Sequence, residues 1–251
     1  MREFVRWLLS ENNSQMSISL FNIWHIFYLL VIFGGTGLLS FKLGRKSLAA
    51  KEKAVRLFAY LTIGFYVADF FLMPLSDSYS GIATHKLPFH ICTLMGCLAP
   101  FVQFNKRLAK FKTPVVTLAV ASSVMWMCYP GSALGGQPPF SYLIFQTFMF
   151  HGVLFCWGIL NLALGFVKLE LKKLWQEFAG VLLILVWAWI GNTLYDGENN
   201  WFFIQRSIFP FLSDEVMPFM VVFCVTGVCF VIHLGYLGIC KIVESRQKVL
   251  L

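Results

Sequence analysis

The stretch from residue 216 to residue 240, VMPFMVVFCVTGVCFVIHLGYLGIC, contains no Asp, Glu, Lys or Arg. A helix needs roughly 20 apolar residues to cross a hydrocarbon core of about 30 Å, so this stretch is long enough to span a membrane. Six similar segments precede it, near residues 18–41, 57–75, 88–104, 114–133, 143–166 and 178–194. The sequence therefore predicts seven membrane-spanning helices.

The basic residues between these segments are distributed unequally. Sixteen of the twenty Lys and Arg residues lie in the C-terminal tail and in the connections after the first, third and fifth segments. The other side holds Arg2, Arg6, Lys86 and Arg206. Because cationic residues stay on the cytoplasmic side during insertion, this distribution predicts an N-terminus outside and a C-terminus in the cytoplasm.

Composition agrees with a membrane protein and leaves no room for a soluble domain. Hydrophobic residues make up 58% of the 251 positions, and the mean hydropathy is +0.72. The net charge of +8 comes mainly from the inner connections, which would face anionic lipid, so it does not indicate nucleic-acid binding. The predicted fold is all-α, a polytopic bundle with an interfacial segment at 1–16 and a seven-helix domain at 17–251. The seven cysteines show no CxxC spacing and predict no disulfide framework.

Polar residues from several predicted spans fall at one height near the outer surface. Counted at 1.5 Å a residue from the outer ends, they lie roughly 3 to 12 Å deep: His25, Asp69, His90, Thr93, Gln146 and His151. Asp69 is the only carboxylate well inside a predicted span, where its insertion costs about 2.5–3.5 kcal/mol, and a histidine is its natural partner. This layer indicates either an acid/base site or polar contacts between neighbouring helices. Only His233 falls in the inner half.

Other sequence features exclude several classes of protein and of active site, but they do not identify the reaction. His90 and Thr93 are three residues apart and share a helix face, whereas Cys92 points elsewhere and is interpreted as packing. HExxH, GxSxG and P-loop patterns are absent, and the last predicted span lacks the lysine of a retinal protein. A metal site from His25, His90 and His151 would have no local spacing signature, so no metal and no cofactor are predicted. The connection 192–215, NTLYDGENNWFFIQRSIFPFLSDE, is either a lid or an aromatic belt.

Three stretches resemble one family. They are residues 87–93 (LPFHICT), 145–152 (FQTFMFHG) and 192–203 (NTLYDGENNWFF). They look like segments of the bacterial YwaF-type integral membrane proteins, which are related to eukaryotic transmembrane protein 164. The resemblance implies a seven-span bundle in the bacterial plasma membrane with a lipid-modifying role. The eukaryotic relatives look like acyltransferases of ether phospholipids, and androgen-induced membrane hydrolases of similar architecture use a Thr and a His on fatty-acid esters.

Carried over residue by residue, the family's motif histidine matches His90 and its fifth-span histidine matches His151. The threonine matches Thr93. The cysteine that precedes the motif histidine in the eukaryotic proteins is replaced by Phe89 here.

The leading functional prediction is hydrolysis or transfer of a lipid acyl chain in an outer-leaflet polar pocket. His151 is the predicted general base, oriented by Asp69 or His90, and the nucleophile is Thr93 or water. Residues predicted to contact the substrate are Asn192, Asn199, Asn200, Gln146 and His25. The predicted partner is a membrane lipid, and the oligomeric state is left open. The alternative is a transporter or receptor for a small molecule or lipid, and a third reading is a scaffold for partner helices.

Overall fold

The computed structural model describes residues 17–72, 86–130, 138–195, 199–207 and 211–249. Within them, helices account for nearly all regular structure and no strand is present. The predicted interfacial segment at 1–16 lies outside the described residues. The helices are α1 (Ile23–Gly44, with a π-helical turn at Leu30–Gly34), α2 (Leu48–Leu72), α3 (Ile91–Phe104), α4 (Lys112–Cys128), α5 (Tyr142–Ala163), α6 (Trp175–Leu194) and α7 (Met217–Val249).

Six of these helices are long and apolar enough to cross a membrane, which confirms an all-helical, multi-span protein. The exception in the described part of the chain is α3, whose 14 residues rise about 21 Å, less than the hydrocarbon thickness. The predicted third span begins near residue 88, but the helix begins only at Ile91, because His90 has extended backbone angles. Seven crossings and the orientation of the termini stay predictions.

Although short, α3 packs antiparallel against the middle of α2. Near the end of α3, Phe104 stacks on Tyr60 with ring centroids 4.5 Å apart. In the middle, the Thr62 hydroxyl donates to the Gly96 carbonyl at 3.2 Å. Before α3 begins, the Tyr66 hydroxyl donates to the carbonyl of Lys86 at 2.8 Å. Residues 86–104 therefore cover the height of the bundle that lies between Tyr66 and Tyr60.

The centre of the bundle is formed by α4 and α5. Residues 115–123 of α4 are all buried, and they include valine, alanine and serine side chains small enough for close packing. Gly158 allows α5 to approach α4, since a Cβ atom there would collide with Val120. On the other side of α5, a Cβ on Gly152 would lie 2.9 Å from the Ile32 side chain of α1.

The antiparallel order of the helices gives the bundle two distinct ends. One end, here called the basic end, carries the connections 45–47, 105–111 and 164–174, which contain many of the chain's cations. The other end carries the last turns of α2, α4 and α6 and the first turns of α3, α5 and α7. The predicted site residues lie toward this second end.

Candidate functional site

Asp69 is paired with a lysine. Its Oδ2 lies 2.9 Å from Nζ of Lys86, and the two side chains are 3% and 14% exposed. The Tyr142 hydroxyl donates to Asp69 Oδ1 at 3.2 Å. The partner of this carboxylate is therefore Lys86 and not the histidine that was expected. A lysine brings the positive charge that a buried carboxylate needs, and Tyr66 holds the lysine backbone in place.

His151 is buried in the middle of α5, and its surroundings determine which nitrogen carries the proton. Nδ1 lies 2.8 Å from the carbonyl oxygen of Thr147, which can only accept a hydrogen bond. In the neutral ring, Nδ1 therefore carries the proton and Nε2 presents a lone pair. Nε2 is buried and has no hydrogen-bond partner among the described residues. The orienting group is thus the Thr147 carbonyl, in place of the predicted Asp69 or His90.

An aromatic stack keeps the His151 ring in this position. The ring lies against Trp126 with centroids 4.0 Å apart and an interplanar angle of 10°. Phe150 meets the same ring edge to face at 5.2 Å. Lys86 and His90 are both near enough to interact with His151 electrostatically. Asp69, Lys86, His90, Tyr142 and His151 are together called the polar cluster below.

His90 immediately precedes α3. Its carbonyl accepts a hydrogen bond from the Thr93 hydroxyl at 2.9 Å, and its Nδ1 accepts one from the backbone N–H of Phe202 at 3.2 Å. The Phe203 ring lies 5.4 Å from the His90 ring. His90 therefore ties the start of α3 to the connection between α6 and α7. Thr93 lies in the first turn of α3, whereas His90 lies outside the helix, so the two do not share a helix face as predicted. The Thr93 hydroxyl proton is engaged by the His90 backbone.

Gln146 and His25 are buried and bonded to their own chain. The Gln146 amide donates to the Phe65 carbonyl at 3.4 Å and accepts from the Thr147 hydroxyl at 3.3 Å. His25 uses both ring nitrogens, since Nδ1 accepts from the Phe21 N–H at 2.9 Å and Nε2 donates to the Met127 carbonyl at 2.7 Å. His25 fastens α1 to the end of α4, so its ring lacks a free nitrogen for a substrate.

The asparagines predicted to bind substrate organise the connection after α6. Asn192 makes two bonds to the backbone of Trp201, with Nδ2 donating at 2.9 Å and Oδ1 accepting at 2.8 Å. Asn200 accepts from the N–H groups of Gln205 and Arg206 and donates to the Arg206 carbonyl. Asn199 is half-buried in the same turn. The Asn192 and Asn200 side chains therefore shape the loop that covers His90.

This loop contains a short aromatic turn with unusual backbone angles. Trp201 is fully buried, and its ring lies 4.8 Å from that of Phe89. Asn200, Phe202 and Phe203 have φ values of 44°, 58° and 57°, a conformation that bulky residues rarely adopt. Strained backbone of this kind is held by its surroundings and is common at functional sites. The described part of the connection is thus an ordered cap over the start of α3.

The cluster includes residues that the sequence did not single out. Lys86 and Tyr142 were missed because each lies just outside a predicted span, at a position expected to be an ordinary loop residue. One signal was available for Lys86: an intramembrane carboxylate requires a cation, and few cations occur on that side of the chain. Trp126 and the Thr147 carbonyl had no sequence signal. Among the described residues, no three His, Cys, Asp or Glu side chains converge in a way that could hold a metal ion.

An all-helical bundle with six apolar helices of membrane-spanning length defines a multi-pass membrane protein. The sequence model of the TMEM164 family matches residues 19–237, and the chain belongs to that family. The match covers the polar cluster and the cap loop, and it confirms the resemblance to transmembrane protein 164. The narrower YwaF-type resemblance stays a prediction. No curated protein and no solved structure matches the chain.

Proposed function

We propose that this protein hydrolyses or transfers a lipid acyl chain at the polar cluster, with His151 as the general base. One observation carries the proposal: the Thr147 carbonyl fixes the ring so that a buried Nε2 presents its lone pair without a hydrogen-bond partner. A general base must be neutral, oriented and able to reach the proton that it removes. A histidine that served only to join helices would be expected to engage both nitrogens, as His25 does.

The other members of the cluster suit the charge changes of acyl transfer. When a nucleophile attacks an ester carbonyl, negative charge develops on the carbonyl oxygen, and a nearby cation stabilises it. Lys86 supplies such a cation within electrostatic range of His151. Asp69 holds that lysine by ion pairing, and the Tyr142 hydroxyl donates a hydrogen bond to Asp69. The predicted lipid substrate would approach from the surrounding bilayer.

In the proposed reaction, the nucleophile loses its proton to Nε2 of His151 as its oxygen bonds to the acyl carbon. The same proton then passes to the oxygen of the leaving alcohol as the ester bond breaks. Water as nucleophile gives a free fatty acid, whereas the Thr93 hydroxyl would give an acyl-enzyme that a second alcohol or water resolves. Cys92, which lies within electrostatic range of Lys86, is the thiol to test beside Thr93.

The test compares membrane lipids and purified-protein activity on phospholipids for His151→Asn, Thr93→Val and Cys92→Ala. We expect His151→Asn to lower the rate by about 10²–10⁴, the usual contribution of a general base. Gly64→Ala, where an added Cβ meets nothing within 4 Å, is the folding control. Loss of activity in Thr93→Val, but not in Cys92→Ala, would assign the nucleophile to the threonine. Equal turnover of lipid by the wild type and His151→Asn would refute the proposal.

A second candidate is transport or binding of a small molecule or lipid without chemistry. A buried acidic and basic pair near the basic end favours it, because a transporter needs polar groups on both sides of the apolar centre. In this pair, Oε1 of Glu177 lies 3.2 Å from Nε2 of His233. Unchanged lipids combined with lost uptake in the His151→Asn variant would support this candidate.

A further inference from the structure

Glu177 and His233 form a pair that the sequence alone did not reveal. Glu177 lies in the first turn of α6, and His233 lies in α7, 56 residues further along the chain. Glu177 Oε1 is 3.2 Å from His233 Nε2, and both side chains are 0% exposed. Glu177 was overlooked because the predicted sixth span began one residue after it. The pair belongs to α6 and α7 near the basic end, apart from the polar cluster on α2, α5 and the segment before α3.

The groups that surround the pair offer little to stabilise a net charge. Helix α4 packs against both α6 and α7, with the Leu118 side chain next to Gly180, one turn beyond Glu177. On α7, the Cys229 thiol is within electrostatic range of Glu177. The ionisable residues at the start of α4 and just before α6 are Lys112, Lys172 and Lys173. Both of the latter are ion-paired with Glu170.

Two atoms of the pair are left without partners in the described part of the chain, namely Oε2 of Glu177 and Nδ1 of His233. A carboxylate beside a neutral imidazole would place a full negative charge here. Removing a charge from water is unfavourable unless the charge is paired and hydrogen-bonded. One additional proton, on either the carboxyl or the imidazole, makes the pair neutral as a whole. A second additional proton would leave it positively charged.

We infer that Glu177 and His233 form a proton-binding site, which holds one proton in common between α6 and α7. The proton is taken up from solution and lies between Oε1 of Glu177 and Nε2 of His233. No bond other than that to the proton is formed or broken. The inference concerns different helices from the proposed acyl chemistry and does not depend on it. It also differs from a purely structural role, because a structural hydrogen bond could be made by a carboxylate and a neutral imidazole without the extra proton.

The test records infrared spectra and ¹⁵N-histidine magnetic resonance spectra of the full chain in phosphatidylcholine nanodiscs near neutral pH. The expected result is either a protonated carboxyl band with a neutral His233 ring or a carboxylate with an imidazolium ring. Glu177→Gln should remove the corresponding signal, which amounts to one proton per chain. Asp69→Asn is the matched control, because Asp69 is paired with Lys86 and its loss should leave the signal in place.

A carboxylate beside a neutral His233 ring in the wild type would overturn the inference. If Glu177→Gln does not fold, the wild-type histidine spectrum is compared with that of His233→Gln, which identifies the His233 resonances directly. Infrared spectra of the same His233→Gln protein then show whether the Glu177 carboxyl group is protonated. A wild-type carboxylate band together with a neutral His233 ring would again contradict a shared proton.

Discussion

Lys86 and Asp69 illustrate how two members of one ion pair can differ in their access to water. The lysine side chain is 14% exposed and the aspartate side chain 3%. A lysine left alone can extend its flexible stem toward solvent, whereas an aspartate left alone stays buried with its charge. Removing one partner of the ion pair therefore has different consequences for Lys86 and for Asp69.

This difference leads to a prediction for single and double variants. Lys86→Met should destabilise the protein by about 3 kcal/mol, because it leaves a buried carboxylate without its cation. Asp69→Asn should cost less, and the double variant should be more stable than the sum of the two single effects implies. Thermal unfolding in detergent of all four proteins gives the coupling. Additive effects would show that the ion pair contributes nothing.

At the scale of the element, the close approach of α6 to the segment before α3 depends on a glycine. A Cβ on Gly191 would lie 2.5 Å from the ring of Phe89. That ring cannot easily move away, since it is packed between Trp187 at 5.0 Å and Trp201 at 4.8 Å. The glycine thus sets the distance between α6 and the residue next to His90.

Gly191→Ala should therefore destabilise the protein by about 1–3 kcal/mol, as overpacking of a filled core does. It should also lower any activity that depends on the polar cluster, because Phe89 and His90 are adjacent. Gly235→Ala on α7 is the matched control, as nothing lies within 4 Å of its added Cβ. Thermal unfolding measures both variants, and equal stability of the two would contradict the packing argument.

The connection between α5 and α6 shows a charge effect outside the membrane-spanning segments. Hydrogen bonds from Lys173 and Lys172 lower the pKa of Glu170 from 4.5 to about 2. Since the folded value is below the unfolded one, the stabilisation is present above pH 4.5 and is lost as the pH falls toward 2. The Glu170 side chain is 38% exposed to solvent, so salt should weaken the effect.

We accordingly expect Glu170→Gln to unfold at a slightly lower temperature than the wild type at neutral pH. The difference should shrink between pH 4.5 and pH 2 and should also shrink in high salt at neutral pH. Unfolding temperatures measured at several pH and salt values provide the check. A difference that is independent of both would assign the effect to packing.

At the scale of the whole molecule, the number of crossings determines whether the two termini lie on the same side. The six long helices alone would leave both termini on one side, whereas a crossing by α3 would separate them. The described contacts of residues 86–104 with α2 lie between Tyr66 and Tyr60, a helix rise of about 9 Å, so they show antiparallel packing and leave the seventh crossing a prediction. The extended residues before Ile91 add to the height that the short helix covers.

With seven crossings and the observed distribution of cations, an N-terminal tag should be digested by protease added to spheroplasts. A C-terminal tag on the same chain should be protected until the membrane is permeabilised. A cytoplasmic protein with the same tag is the control for leakage. Protection of both tags, or digestion of both, would mean an even number of crossings.

Much of the helical arrangement was predictable from local sequence. The observed helices overlap the predicted spans, since the length of an apolar run sets what can cross a membrane. However, α2 begins at Leu48 instead of near residue 57, and α7 extends to Val249 instead of ending near residue 240. The sequence also placed Asp69, His90 and His151 toward one end of the bundle. It did not anticipate that α3 begins only after His90, because the extended backbone there is fixed by contacts with Phe202.

The membrane class, the number of apolar segments and the end at which the polar residues lie were determined by the sequence itself. These properties depend on the lengths of apolar runs and on where charges fall along the chain. Tertiary structure decided the partners: Lys86 for Asp69, the Thr147 carbonyl for His151, and His233 for Glu177. A hydrogen-bond partner depends on how each helix is rotated about its axis and on the path of the connections. Those are set by packing between segments distant in the chain, and hydropathy does not encode them.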